Sequence, residues 1–293
     1  MTPTRNPLAT LATALLLLGP LAACGDDGST KKDELAPATV KYVALGDSYS
    51  AAPGVPDQTG PDSCLRSDHN YPSLVAEKLQ PDTFVDVTCS GADTDDMGRP
   101  QFMDVPAQLD AVTADTDIVT LGIGGNDFNL FAKLVGQCAF VRGQDPTGAP
   151  CRKAMNVTGK DKLLTTIAST HRRVADVVRQ VHQHAPQATV FIVGYPQILP
   201  AEGTCPELLP LADGDYAYAR KINKALTDTL EDVARTTEAT YVDLWRATAG
   251  HDMCAKDPWV NGQHDQPDVA VAFHPFAAEQ KAAAKQVLAA IDD

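Results

Sequence analysis

Basic residues are scarce in this chain. Its 24 lysines and arginines face 38 aspartates and glutamates, and the formal net charge is -14. An acidic surface repels phosphate backbones, and no basic patch interleaved with aromatics offsets that repulsion, so no nucleic-acid partner is expected. Cys-x-x-Cys does not occur, which removes the commonest zinc and thioredoxin-like arrangements and leaves no metal in the expectation. Beyond the first 23 residues there is no second long apolar span and no internal repeat, which argues against a membrane-spanning bundle or a solenoid.

What is present begins with Met1 to Cys24: one basic residue (Arg5), an apolar stretch centred on Ala14 to Leu18, and small residues before Cys24. That pattern describes a secretory signal too short to span a bilayer. The Leu21-Ala22-Ala23-Cys24 ending resembles the lipobox of bacterial lipoproteins, which implies that Cys24 is lipidated and becomes the new N-terminus; the alternative is an ordinary signal peptide with a chance cysteine. Residues 25 to 37 are polar and aperiodic, as in a flexible tether. The expected organisation is therefore a signal over 1–23, a tether over 24–38 and one domain over 39–293. Cleavage removes only Arg5 among charged residues and takes the charge to -15. The protein is expected outside the cell, lipid-anchored at the outer face of the membrane or secreted, and as a monomer. Of seven cysteines, setting Cys24 aside leaves Cys64, Cys89, Cys138, Cys151, Cys205 and Cys254. An even number in an exported chain argues for three disulfides, and the residues leave the pairing open.

Apolar, β-rich runs recur at Val40 to Leu45, Phe84 to Val87, Asp117 to Ile123, Thr189 to Val193 and Thr240 to Leu244. Helix-like stretches lie between them at Tyr71 to Leu79, Val105 to Val112, Lys162 to His184 and Tyr216 to Thr237, and Pro275 to Ile291 closes the chain with Pro275 in the first helical turn. Alternation of this kind is the signature of an α/β fold, a mostly parallel five-stranded sheet with helices on both faces in a three-layer α/β/α sandwich. Irregular segments at Ala51 to Asn70, Gly136 to Gly159, Pro196 to Asp215 and Thr248 to Val271 each carry cysteine. In such sheets ligands bind at the carboxyl ends of the strands, where these loops would form the walls.

Three strand ends carry residues suited to acyl transfer. Ser48, in Gly46-Asp47-Ser48-Tyr49-Ser50, follows the first strand; Gly91, in Cys89-Ser90-Gly91-Ala92, follows the second; Asn126, in Gly122-Ile123-Gly124-Gly125-Asn126-Asp127, follows the third. A turn or helix cap explains many isolated Gly-Asp-Ser triplets, and Ser48 lacks the Gly-x-Ser-x-Gly frame because Ser50 replaces the second glycine. Together, however, the Ser48 and Gly91 N–H groups and the Asn126 side chain could form a three-donor hole for an oxyanion. The competing reading of Gly122 to Asn126 as a phosphate loop lacks a third glycine and a Walker lysine, so no cofactor is expected. Asp127 is better suited to capping or ordering the loop. Among seven histidines only His274 precedes a proline at the start of the last helix, and it is the candidate base that deprotonates Ser48 and protonates the leaving alcohol.

These four blocks, Gly46-Asp47-Ser48, Gly91, Gly124-Gly125-Asn126-Asp127 and His274-Pro275, occur in the order of the SGNH (GDSL-type) hydrolase family, which the whole domain resembles. The resemblance implies a flavodoxin-like sheet, a Ser48–His274 pair, an oxyanion hole of Ser48, Gly91 and Asn126, and no cofactor. The family usually has Asp-x-x-His-Pro, but Val271 stands where that aspartate would be and the nearest upstream acid is Asp268. Some extracellular members orient the histidine with a main-chain carbonyl, which points to the C=O of Val271. The same group, resembling secreted actinobacterial lipases and esterases, implies sequential disulfides Cys64–Cys89, Cys138–Cys151 and Cys205–Cys254. The implied function is an exported carboxylester hydrolase acting on lipid or fatty-acyl esters through an acyl-enzyme. An acetylesterase of cell-surface polysaccharide is the alternative substrate reading, and a non-catalytic lipid- or glycan-binding lipoprotein the alternative class. Trp259 is a candidate wall of the acyl pocket.

Overall fold

The structure, a computed structural model, describes residues 39–293. The signal over 1–23, the tether and Cys24 lie outside the described residues. Five parallel strands form the central sheet: β1 (Lys41–Gly46), β2 (Thr83–Asp86), β3 (Ile118–Gly122), β4 (Thr189–Val193) and β5 (Thr240–Val242), in the order β2-β1-β3-β4-β5. The inner strands β1, β3 and β4 are short, apolar and mostly buried because both faces are covered, whereas the edge strands β2 and β5 are partly exposed. Along β1 the pleat sends Val43 and Leu45 into one core and Tyr42 and Ala44 into the other.

Helices α1 (Ser48–Ala51), α2 (Tyr71–Leu79), α3 (Lys162–His184), α4 (Tyr216–Thr236) and α5 (Ala277–Asp292) complete the principal elements. The apolar faces of α3 and α4 pack with Val43, Leu45, Val119 and Leu121, while α2 and α5 cover Tyr42, Ala44, Phe191 and Val193. Caps fix several starts. Asn70 accepts from Ser73 N–H at 3.0 Å to begin α2, and Asp161 accepts from Leu163 and Leu164 N–H at 2.9 and 3.1 Å to begin α3.

Three expectations about elements need correction. The stretch Val105 to Val112 holds only a 3₁₀ turn at Gln108–Ala111, because Pro106 biases Val105 to an extended conformation and Val105 N–H bonds Phe102 O instead. Pro275 lies outside α5, whose cap is Phe276 with extended backbone, so the helix starts two residues late. The segment Gly136 to Gly159 is not wholly irregular: α-helical turns at Cys138–Val141 and Pro150–Met155 are joined by a disulfide between Cys138 and Cys151.

The strand order reverses between β1 and β3. Two adjacent strands whose connections leave in opposite directions open a crevice at their carboxyl ends. Ser48 and Asn126 stand at the two sides of that crevice.

Candidate active site

Ser48 begins α1 directly after Asp47, which caps the helix by accepting from Tyr49 N–H at 2.9 Å. Asp47 N–H donates to Gly122 O at 2.9 Å, so the turn is pinned to the end of β3. A glycine is needed at 46 for this close approach, since a Cβ there would lie 2.8 Å from Gly122 O and nearer still to Ser50. As the first residue of a helix, Ser48 has an N–H with no intrahelical acceptor, and none of the hydrogen bonds among the described residues uses it.

Gly91 follows β2 in a left-handed conformation, φ +82°, which a side chain would strain. Its N–H also has no acceptor among the described residues, and the residue is exposed. Cys89, buried two residues earlier, is bonded to Cys64, and Ser90 N–H donates to Cys64 O at 2.9 Å. Asn126 Nδ2 donates to Ala92 O at 2.9 Å, which aims the amide toward the Gly91 loop and leaves its second hydrogen without an acceptor among the described residues. Asp127 does not cap a helix by side chain: it is buried and accepts from Thr94 N–H at 2.9 Å and Thr94 Oγ1 at 3.0 Å, tying the third block to the loop after the second. Burial pushes its carboxyl up to about 6 despite these bonds.

His274 Nδ1 lies 2.7 Å from the carbonyl oxygen of Ala272, the acceptor that sets an Nδ1–H tautomer and directs Nε2 the other way. This corrects the expectation for Val271. The Val271 carbonyl instead accepts from His274 N–H at 3.2 Å and from Asn261 Nδ2 at 3.2 Å, because the chain turns back tightly over Val271 to His274. Asp268 is exposed and is not bonded to the ring. The acid that acts on it is Asp265, which accepts from Ala272 N–H at 2.8 Å and so braces the same peptide segment. Burial holds the His274 imidazole below its ordinary value, and the Ala272 bond and Asp265 charge oppose that shift only in part. A neutral imidazole at neutral pH is the form able to accept a proton.

Ser48, Asn126 and His274 line one cavity of about 200 Å³ whose remaining walls include Phe131, Leu134, Val135, Ile198 and Phe273. Among the described residues no hydrogen bond joins Ser48 Oγ to His274; the two side chains meet as walls of the same cavity. A larger apolar recess of about 290 Å³, lined by Cys64, Val87, Val105 and Ala107, shares none of these residues. Trp259 does not line the cavity; it stacks on His251 with ring centroids 3.7 Å apart. The remaining histidines lie outside the cavity, His171 pairing with Asp232 at 2.9 Å between α3 and α4.

Residues 44–282 match the GDSL-like lipase/acylhydrolase family, a span that takes in all four blocks. The chain belongs to that family. It is a carboxylester hydrolase of the GDSL type, a reading in keeping with relatives named as lipases and an esterase. It is 40% identical to Lipase 2 of Streptomyces coelicolor over 220 residues, 74% of this chain and 73% of that one. Among solved structures it is similar to phospholipase A1 from Streptomyces albidoflavus, at 29% identity and a TM-score of 0.69 over 87% of this chain and 99% of the other. The extracellular lipase from Streptomyces rimosus aligns at 27% identity with a TM-score of 0.65 and the same shares. The third disulfide of this family member joins Cys205 to Cys254, tying the segment before α4 to the loop that leads to His274.

Two residues at the site escaped the sequence reading. Tyr195, just past β4, donates its hydroxyl to Asp47 and accepts from Gly125 N–H at 2.7 Å, so one buried phenol connects the Ser48 turn with the Asn126 loop. Burial pushes the Asp47 carboxyl up to about 7 against the Tyr195 and Tyr49 bonds. Tyr49 donates to Phe273 O at 2.8 Å and packs against Phe131, Tyr195 and His274. The available signal was position: Tyr195 stands at a strand end, and Tyr49 directly follows the candidate nucleophile.

Proposed function

We propose that this hydrolase cleaves lipid or fatty-acyl esters through an acyl-enzyme on Ser48. The observation that carries the reading is the shared cavity, which Ser48, His274 and Asn126 line together with Phe131, Leu134, Val135, Ile198 and Phe273. His274 takes the Ser48 proton as the hydroxyl attacks the carbonyl, then returns it to the departing alcohol; water repeats the sequence to free the acid. The oxyanion is held by the N–H groups of Ser48 and Gly91 and by Asn126 Nδ2. No carboxylate completes a triad: Ala272 O orients the ring, a neutral dipole that stabilises imidazolium less than an aspartate would. The apolar wall favours an acyl chain over an acetyl group on a glycan, in keeping with a relative described as a phospholipase A1.

Export is supported by three disulfides and by similarity to a lipase described as extracellular. Cys24, at the end of a lipobox-like sequence, is the lipid attachment residue in this reading, and Cys24→Ser should move the protein from membranes to the soluble fraction. The function is tested by fluorophosphonate labelling followed by an acyl-chain-length series. Labelling of Ser48 with kcat/KM rising from acetyl to medium-chain esters is expected. Labelling at another serine, or a maximum at acetyl, would overturn the nucleophile or the substrate class respectively.

A further inference from the structure

The end of β1 is gripped by a side chain from the turn that ends the Gly91 loop. Gln108 is 1% exposed; its Nε2 donates to Gly46 O at 3.0 Å and its Oε1 accepts from Gly46 N–H at 2.8 Å. Pairing of β1 with β2 ends at Ala44 and Asp86, and past that point the chain supplies Gly46 only with Cys89 N–H, 3.0 Å from Gly46 O. The Gln108 amide offers a donor and an acceptor side by side, as a peptide does, and so continues the sheet beyond the last residue of β2. The turn that carries it is bonded to the Gly91 loop, through Leu109 N–H to Met97 O at 2.9 Å and Gln108 N–H to Asp96 O at 3.4 Å.

We propose that Gln108 is a positioning residue that sets the separation of the Ser48 and Gly91 N–H groups by locking the end of β1 to the loop bearing Gly91. The inference rests on the oxyanion hole described under the proposed function and adds the part that holds it in shape. Main-chain donors can be aimed only by placing main chain. Ser48 lies two residues past Gly46, and Gly91 two residues past Cys89, whose N–H shares the Gly46 carbonyl with Gln108. One glycine therefore receives both segments, and Gln108 accepts from the Gly46 N–H that the main chain leaves open while adding a second donor to its carbonyl. Displacement of a donor by about 1 Å is enough to cost on the order of a hundredfold in rate, and such donors act on the transition state more than on bound substrate.

The test compares Gln108→Leu and Gln108→Glu with Ser48→Ala and with Asp161→Ala, a remote cap whose loss weakens α3 without touching the site. A short-chain p-nitrophenyl ester supplies kcat and KM, a fluorophosphonate the acylation rate, and thermal melting the folded fraction. Folded Gln108→Leu should lose about 10- to 100-fold in kcat with KM changed less than about threefold, and phosphonylation should slow in parallel. Gln108→Glu keeps an acceptor for Gly46 N–H but sets a carboxylate against Gly46 O, and should lose at least as much. Asp161→Ala should melt earlier and keep its kcat. A kcat for Gln108→Leu within about threefold of wild type, or a loss matched by Asp161→Ala at equal melting temperature, overturns the proposal, whereas an active Ser48→Ala overturns the reading beneath it. If neither Gln108 variant folds, a crystal structure of the wild-type protein phosphonylated at Ser48 decides. Both Gln108–Gly46 bonds retained, with Ser48 and Gly91 N–H on the phosphonyl oxygen, support the proposal; Gly46 released from Gln108 while that oxygen is bound by both overturns it.

Discussion

Ser48, Gly91 and Asn126 stand two, five and four residues past three neighbouring strands, whereas His274 closes a long segment between β5 and α5 that contains no strand of the sheet. The first group inherits its geometry from the sheet, with Asp47 N–H on Gly122 O and Cys89 N–H on Gly46 O extending the ladder into the site. The second is held by side chains reaching in from elsewhere. Tyr49 OH donates to Phe273 O, Asn261 Nδ2 donates to the carbonyls of His264, Ala270 and Val271, and Val271 N–H donates to Pro53 O at 3.0 Å. The comparison teaches that a parallel sheet supplies donors cheaply at its strand ends, while a base that must approach from above needs its own scaffold.

The sharpest break is chemical. Ser48→Ala should abolish labelling and lower kcat by about 10⁶-fold, the size seen when a nucleophile is removed from a comparable constellation. His274→Ala should lose on the order of 10²–10⁴-fold or more, with the melting temperature little changed in both. Steady-state kinetics with a melting control checks the pair, and an active, folded His274→Ala would show that the loop carries no base.

Next comes the scaffold of the histidine. Asn261 is buried, and Asn261→Ala leaves the His264 carbonyl without its donor and takes one of two bonds from each of the Ala270 and Val271 carbonyls, a change expected to cost about 1–3 kcal/mol of stability by urea unfolding. Because the lost bonds belong to the histidine loop alone, kcat should fall further than the loss of folded protein accounts for. A variant that is destabilised yet fully active would mean the loop is held mainly by Tyr49 and Pro53.

The pH profile separates the two regions by their ionisations. His274 is held below 6.5, so kcat/KM should rise with pH through a pKa below that value and level off by neutrality, falling about tenfold per pH unit on the acid side. An apparent pKa above 6.5 would place a carboxylate against the ring. Glu279, buried at the start of α5, has its carboxyl pushed up to about 8 from 4.5 by burial, with Gln280 Nε2 at 2.7 Å opposing the shift. The folded protein keeps that proton where the unfolded chain has lost it, so this contribution to stability is full below pH 4.5 and is lost as pH rises through about 8. Glu279→Gln should flatten the decline in melting temperature over that window, and an unchanged slope would assign the decline to other groups.

The smallest effect is expected from the acids nearest His274 in sequence. Asp268→Asn should stay within about twofold of wild-type kcat/KM, and Asp265→Asn should lose a few-fold at most because Asp265 acts on the ring only through Ala272 N–H and a screened charge. A loss of a hundredfold at either would replace the dyad by a triad.

Much of this molecule is legible before folding. The spans Tyr71–Leu79, Lys162–His184 and Thr189–Val193 coincide with α2, α3 and β4, because caps and apolar periodicity act over a few residues. The strand-end blocks are legible for the same reason: a glycine or serine after an apolar run is a local event. Where contacts are long-range the sequence is silent or misleading. The stretch 105–112 has helical residues, yet Gln108 is committed to Gly46, 62 positions away. The carbonyl at His274 shifts from Val271 to Ala272 because Pro53, Asn261 and Asp265 dictate how the loop turns. Trp259 leaves the pocket for a stack on His251.

By itself, then, the sequence determined the alternating strands and helices, the serine, glycine and asparagine at consecutive strand ends, and a lone His-Pro, because hydrophobic period and turn chemistry are written within a few residues. Only the tertiary structure decided which carbonyl meets the imidazole, that Tyr195 joins Asp47 to Gly125, and that Gln108 closes the edge of β1. The Tyr195 and Gln108 bonds link residues brought together by the sheet order β2-β1-β3-β4-β5, and the turn at His274 is set by Pro53, Asn261 and Asp265; no local propensity encodes a partner that the chain reaches only after it has folded.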